Sequence, residues 1–255
     1  MKSILLFFAF ILLYNPSYSI NKSKLDSLFS IYTENDKAMG NISIDKNGAE
    51  VYSNSIGFEN VEANIKSTTK THYRIGSISK TFTATIVMKL VERNLITLDT
   101  KLSEYYPQIN NAEIITIEHL LKHRSGIFNF TNAEDYTDWM EKPITKSKLV
   151  EVIASHPSSF QPDSEAGYSN SNYVLLSFIA ENILDKTFAQ ILKDEITDVC
   201  DLKSTYYGNT IGAIRNEAQS YSYTGQWNKA TETDMSVPMG AGAIVSTASD
   251  LNKFL

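Results

Sequence analysis

A second cysteine is the first thing missing. With Cys200 alone among 255 residues, no intrachain disulfide can staple the fold, so stability must come from a packed core. Cys200 itself reads as a small buried hydrophobe. Positive charge is also short: 23 Lys and Arg face 29 Asp and Glu, a formal charge of −6. Phosphate backbones and anionic lipid surfaces select basic patches, so neither nucleic acid nor an acidic membrane surface is an expected partner. A run long enough to cross a bilayer is absent as well. The apolar stretch Ile4 to Leu13 covers about 15 Å as a helix, half of a ~30 Å hydrocarbon core, so no stable membrane span is expected. Metal ligands are equally thin. His119 and His123 are four residues apart, but Leu120 stands where a helical zinc motif places glutamate, and no third ligand accompanies them. No metal or other cofactor is expected. His156, before Pro157, has no marked partner for a Ser-His-Asp arrangement.

What is present begins with an address. Lys2, the apolar run, and the small residues Ser17 and Ser19 describe a secretory signal peptide over residues 1–19, with cleavage near Ser19. An uncleaved amphipathic anchor is the alternative. No cysteine follows the run, which argues against a lipoprotein anchor. The mature chain, 20–255, is expected to be exported, periplasmic or secreted. It is long enough for one large domain or two sharing a core.

Its organisation changes along the chain. Leu25, Leu28, Phe29 and Tyr32 keep helical spacing over 22–35. Two strand-like runs, 38–45 and 49–57, flank Asn47-Gly48, a pair that accepts the positive φ of a tight hairpin turn. Residues 58–70 read as polar loop and 71–75 as a short strand. After a helix that runs to Val91, 81–235 reads as mainly helical, with helices over 116–121, 145–155, 172–184 and 187–199. Residues 236–255 return toward the α/β part: a glycine-rich strand over 240–247, then a helix capped by Ser249-Asp250.

Ser-x-x-Lys occurs four times, at Ser19, Ser43, Ser67 and Ser77, so the bare pattern carries little. Context separates them. Ser19 lies at the cleavage site, Ser43 in a strand pattern and Ser67 in a polar loop. Ser77 follows a strand and a glycine and opens a long apolar helix. There a hydroxyl sits at the positive end of the helix dipole, about one turn from Lys80. A desolvated lysine in that place has a lowered pKa and can take the hydroxyl proton. Ninety-one residues later, Tyr168-Ser169-Asn170 lies between a proline-bearing loop and an apolar helix. Its phenol is placed to relay a proton and its amide to bind substrate.

The ordered segments resemble the serine hydrolases related to class C β-lactamases, DD-peptidases and their esterase cousins. Arg74 to Lys80 matches that family's nucleophile motif and Tyr168-Ser169-Asn170 its Tyr-x-Asn motif. Leu120 to Gly126 resembles its Leu-Leu-x-His-x-Ser-Gly segment, and Gly240 to Asp250 its glycine-rich Ser-Thr-Ala-x-Asp segment. The resemblance covers roughly 22–255. It implies an α/β, β-lactamase/transpeptidase-like fold, with an antiparallel sheet flanked by helices, a helical domain beside it and the site between them. It implies Ser77 as acylated nucleophile, Lys80 as its base, Tyr168 as partner acid or base, and Asn170 as a substrate contact. The Ser77 N–H would form half of an oxyanion hole. Amide, ester or lactam bonds of small or peptidoglycan-like molecules are the implied targets; the residues do not choose among them, nor fix the oligomeric state.

Three departures accompany it. Asp163 stands where the family has glycine after Pro162, and Lys122 and Arg124 replace smaller residues; only loops are expected to change. The family's third motif, His-x-Gly or Lys-x-Gly on a strand, has no counterpart up to Leu255. The chain is therefore expected to be a truncated member lacking the last sheet strands, with little or no activity. A non-catalytic pseudoenzyme or cell-wall-binding fragment is the alternative to a working hydrolase.

Overall fold

The computed structural model describes residues 20–212 and 216–255, so the expected signal segment, 1–19, lies outside the described residues. Helix α1 (Lys22–Glu34) starts where the Asn21 side chain accepts the Lys24 N–H. It packs on a hairpin of β1 (Gly40–Lys46) and β2 (Ala49–Ile56). Asn47 and Gly48 turn that hairpin with φ of 57° and 76°, the left-handed pair the sequence provides for. The stretch expected to be loop holds a second small hairpin, β3 (Phe58–Asn60) with β4 (Ile65–Lys66). Strands that short carry no readable alternation. Strand β5 (Tyr73–Arg74) leads into the site.

The helical part comprises α2 (Ser79–Glu92), α3 (Ile117–Leu121), α4 (Tyr136–Trp139), α5 (Lys146–Ser155), α6 (Asn170–Leu184) and α7 (Phe188–Leu192). Helix α6 is its centre: every residue from Ser171 to Ala180 is buried, as befits a helix apolar on nearly all sides. Phe82, Ile86 and Leu90 line one face of α2 at four-residue spacing and are fully or almost fully buried. Each such side chain contributes roughly 1.5–3 kcal/mol by leaving water. Cys200 is only half-buried, at the rim of this core and not inside it.

The remaining elements are β6 (Tyr206–Tyr207), a hairpin of β7 (Tyr221–Tyr223) and β8 (Trp227–Lys229), α8 (Met239–Gly242), β9 (Ile244–Ser246) and α9 (Ala248–Phe254). The glycine-rich stretch is thus a helical turn followed by a three-residue strand. Its small residues serve close approach: a Cβ on Gly240 would lie 2.6 Å from the Ser177 Cβ on α6. Strand β9 is the middle of an antiparallel sheet ordered β5-β9-β6. It therefore ties the nucleophile segment to the far end of the chain.

The last helix is capped by Thr247, whose Oγ1 accepts the Asp250 N–H at 3.2 Å, not by Ser249-Asp250 as expected. Asp250 instead turns its carboxylate to the Ser204 N–H and the Thr205 hydroxyl. Thr247→Ala should lower unfolding free energy by about 1 kcal/mol, the usual worth of a threonine cap, readable in urea titration. No change in the midpoint would contradict the cap. Among the described residues, no helix is long and apolar enough to cross a membrane.

Candidate active site

The segment around Ser77 is a junction. After β5 and Ile75 the chain makes a 3-10 turn over Gly76–Ile78, and α2 begins only at Ser79. Ser77 thus stands in the turn just outside the helix, where its side chain is exposed while Lys80 is 7% exposed. Ile244 on β9 clamps the junction from both sides. Its carbonyl accepts the Ile75 N–H at 3.0 Å, and its N–H donates to Ser79 Oγ at 3.1 Å.

All four expected residues meet here. Ser77 Oγ lies 2.6 Å from Tyr168 Oη, and Lys80 Nζ donates to Ser77 Oγ at 3.2 Å. Lys80 Nζ also donates to Asn170 Oδ1 at 2.8 Å and to the Ala241 carbonyl at 2.9 Å. Tyr168 Oη donates to Asn170 Oδ1 at 3.3 Å. Burial pushes the Lys80 amine below the ordinary lysine range, against the opposing pull of Tyr168. Two oxygens, on Asn170 and Ala241, can hold two N–H bonds of a neutral amine. Its lone pair would then face Ser77 Oγ. The arrangement can therefore deprotonate a hydroxyl that is open to solvent while the acceptor is shielded from it.

Several residues of the site carried no signal in the sequence. Asn170 is oriented by Thr131 Oγ1, which accepts its Nδ2 hydrogen at 3.1 Å, and by Asn129 Oδ1, which accepts its backbone N–H at 3.0 Å. Both lie in the irregular chain after the Ser-Gly turn, where no periodicity points to them. The Ala241 carbonyl is a backbone group and is silent in any side-chain pattern. Arg74 lines the cleft with its charge already engaged: it donates to Glu232 Oε1 at 2.6 Å and to the Asn209 and Thr233 carbonyls.

The other serines of the repeated pattern go elsewhere. Ser43 donates to Glu50 on its own hairpin, and Ser67 is buried, accepting from Tyr73 Oη; Ser19 is outside the described residues. His119 accepts the Thr116 N–H in a helix cap, and the His156 ring stacks on Phe128. Two of the loop departures, Arg124 and Asp163, answer each other. Arg124 Nε donates to Asp163 Oδ1 at 2.5 Å, and Asp163 adopts φ 66°, a left-handed conformation where glycine is at ease.

Ser77, Asn170, Thr131, Phe130, Tyr136 and Gly242 line a cleft of about 280 Å³. A larger depression of about 670 Å³ adjoins it, sharing Arg74, Thr233 and Met235 and reaching Glu141 and Asp234.

Known proteins resemble this chain in sequence and in fold. The Beta-lactamase family profile matches residues 40–255. Teichoic acid D-alanine hydrolase from Staphylococcus aureus is 24% identical over 243 residues, a match covering 94% of this chain and 57% of that protein. The chain thus spans little more than half the length of the curated relatives it matches. D-amino acid amidase from Ochrobactrum anthropi SV3, solved with D-phenylalanine, superposes with a TM-score of 0.78 at 24% identity, over 91% of this chain and 70% of that one. The octameric penicillin-binding protein homologue from Pyrococcus abyssi does so with a TM-score of 0.77 at 30% identity, over 92% and 55%. These superpositions give the fold as β-lactamase/transpeptidase-like.

Proposed function

Because the chain belongs to the Beta-lactamase family, we propose that it is a serine hydrolase working through an acyl-enzyme on Ser77. The observation that carries this is the double contact of Ser77 Oγ, 3.2 Å from a desolvated amine and 2.6 Å from a phenol. In the first half-reaction Oγ attacks the carbonyl carbon and its proton passes to neutral Lys80. The tetrahedral intermediate then expels the leaving group, which takes a proton from Tyr168 while Lys80 returns one to the phenol. Water repeats the sequence on the ester, freeing the acid and restoring Ser77. Asn170 holds Lys80 and lines the cleft, where its amide serves as a substrate contact. The Ser77 backbone N–H serves as an oxyanion donor.

The substrate proposed is a D-aminoacyl ester or amide of a small or cell-wall molecule, met outside the cytoplasm. Two of the similar proteins act on such compounds by name. The 280 Å³ cleft lies near the small end of ligand pockets, suited to a compact acyl group. The adjoining depression has room for the leaving group.

The test is covalent. Incubated with a fluorophosphonate, the protein should gain one adduct, mapped by peptide mass to Ser77. The labelling rate should rise with pH and level off below the ordinary lysine pKa of 10.5, since the reactive state needs the amine neutral and burial favours that form. An unmodified mass after prolonged exposure, or an adduct on another serine, would defeat the reading and leave a non-catalytic family member.

A further inference from the structure

His123 belongs to no step above, yet the geometry around it is specific. It is the third residue of a hydrogen-bonded relay behind Tyr168. The Ser169 N–H donates to His123 Nδ1 at 3.2 Å, and the Asn172 amide approaches the same nitrogen at 3.4 Å. Asn172 is in turn fixed by Ser125, whose hydroxyl donates to its Oδ1 at 2.7 Å. Ser125 and Asn172 are fully buried and Ser169 is 2% exposed. The His123 ring lies against Tyr168 with centroids 4.7 Å apart, and against Tyr173 at 5.1 Å. Its own carbonyl accepts the Gly167 N–H at 2.9 Å. The residues on both sides of Tyr168 therefore hang on His123.

Two donors converging on Nδ1 fix the tautomer: that nitrogen must be bare and the proton must sit on Nε2. We infer that His123 is a positioning residue, whose neutral Nε2–H imidazole holds the Tyr168 hydroxyl on Ser77 and whose protonation at Nδ1 releases it. An imidazolium would turn Nδ1 into a donor facing two donors, so the Ser169 N–H would lose its acceptor. The surroundings keep the ring neutral. Lys80 on α2 faces it with positive charge, Tyr168 and Tyr173 pack their rings against it, and the neighbouring Arg124 is engaged by Asp163. Burial first and the Lys80 charge second hold its pKa below 6.5. The ring thus releases the tyrosine only on acidification.

The kinetic arm of the test rests on the hydrolase reading; a spectroscopic arm does not. In fluorophosphonate labelling, loss of the neutral amine alone gives log rate against pH a slope of ~1, and a second required deprotonation raises it to ~2 below the histidine pKa. Wild type should show that steepening below pH 6.5. His123→Asn places an amide oxygen where Nδ1 was, tolerates the φ of 56° and does not titrate. It should keep the slope at ~1 and recover most of a roughly 10²-fold loss in His123→Ala. A steepening that persists in His123→Asn overturns the inference. Should wild type take no label, nitrogen-15 NMR of the histidines decides alone. A bare Nδ1, with Tyr168 ring signals shifting as His123 titrates, supports the relay. An Nδ1–H tautomer, or Tyr168 signals indifferent to that titration, refutes it.

Discussion

Ser77→Ala should lower hydrolysis of a D-alanyl ester or anilide by roughly 10⁴-fold or more and remove fluorophosphonate labelling altogether. Lys80 and Tyr168 both contact the Ser77 hydroxyl, which faces the cleft, and alanine removes that oxygen while leaving both proton carriers in place. A residual rate from general-base attack by water on the bound substrate would survive, but no acyl adduct could. Stability should hardly move, within about 0.5 kcal/mol, because Ser77 is exposed and caps no helix. A variant that melts like wild type and still hydrolyses at more than a tenth of its rate would place the chemistry elsewhere.

Gly126→Ala should have the largest effect on stability of any single methyl addition near the site. Gly126 is buried with φ 74°, and a Cβ there would fall 2.0 Å from the Phe160 carbonyl oxygen. The left-handed conformation alone costs an alanine about 1–2 kcal/mol. The contact is with backbone, so a rotamer change cannot relieve it, and the 157–167 segment must shift. The total should be about 3–5 kcal/mol, in the range reserved for buried strain and overpacking. Denaturant unfolding reads it directly. Because Ser159 donates its N–H to the Gly126 carbonyl and Gly167 to that of His123, the same shift should displace Tyr168. Labelling of whatever fraction remains folded should then slow. A midpoint unchanged from wild type would show that the segment yields freely.

How much of this was legible depends on the kind of signal. The Asn47-Gly48 turn, the α1 and α2 faces and the apolar α6 were written in spacing and turn chemistry, which act locally. Ser77, Lys80, Tyr168 and Asn170 were marked by their order along the chain, and the structure brings their side chains together. What escaped was non-local or carried by the backbone. The Ala241 carbonyl, the Thr131 hydroxyl and the Ile244 clamp have no composition to betray them. The hairpin of β7 and β8 is three residues a side, below the length at which alternation is a signal. The glycines at 240 and 242 suit a strand as well as a helical turn, because small residues allow close approach in either geometry. Only the neighbouring helix, with Ser177 against Gly240, decides between them. Arg124 and Asp163 looked like two separate loop changes and are one ion pair.

The clamp at Ile244 sets an order of assembly. Residues 240–244 supply the Lys80 acceptor on Ala241, the Thr83 acceptor on Gly240 and both bonds that bracket the Ser77 turn. They lie more than 150 residues downstream of Lys80 and Thr83, the α2 residues they hold. Closing so long a loop is the slow part of folding. A ribosome emitting this chain would release α2 and then α6 well before that segment, so helices could collapse while the serine turn was still unframed. The turn around Ser77 is thereby framed only once residues 240–244 have docked, and pulse labelling during refolding should find α2 and α6 protected from hydrogen exchange before Ser77 can be modified.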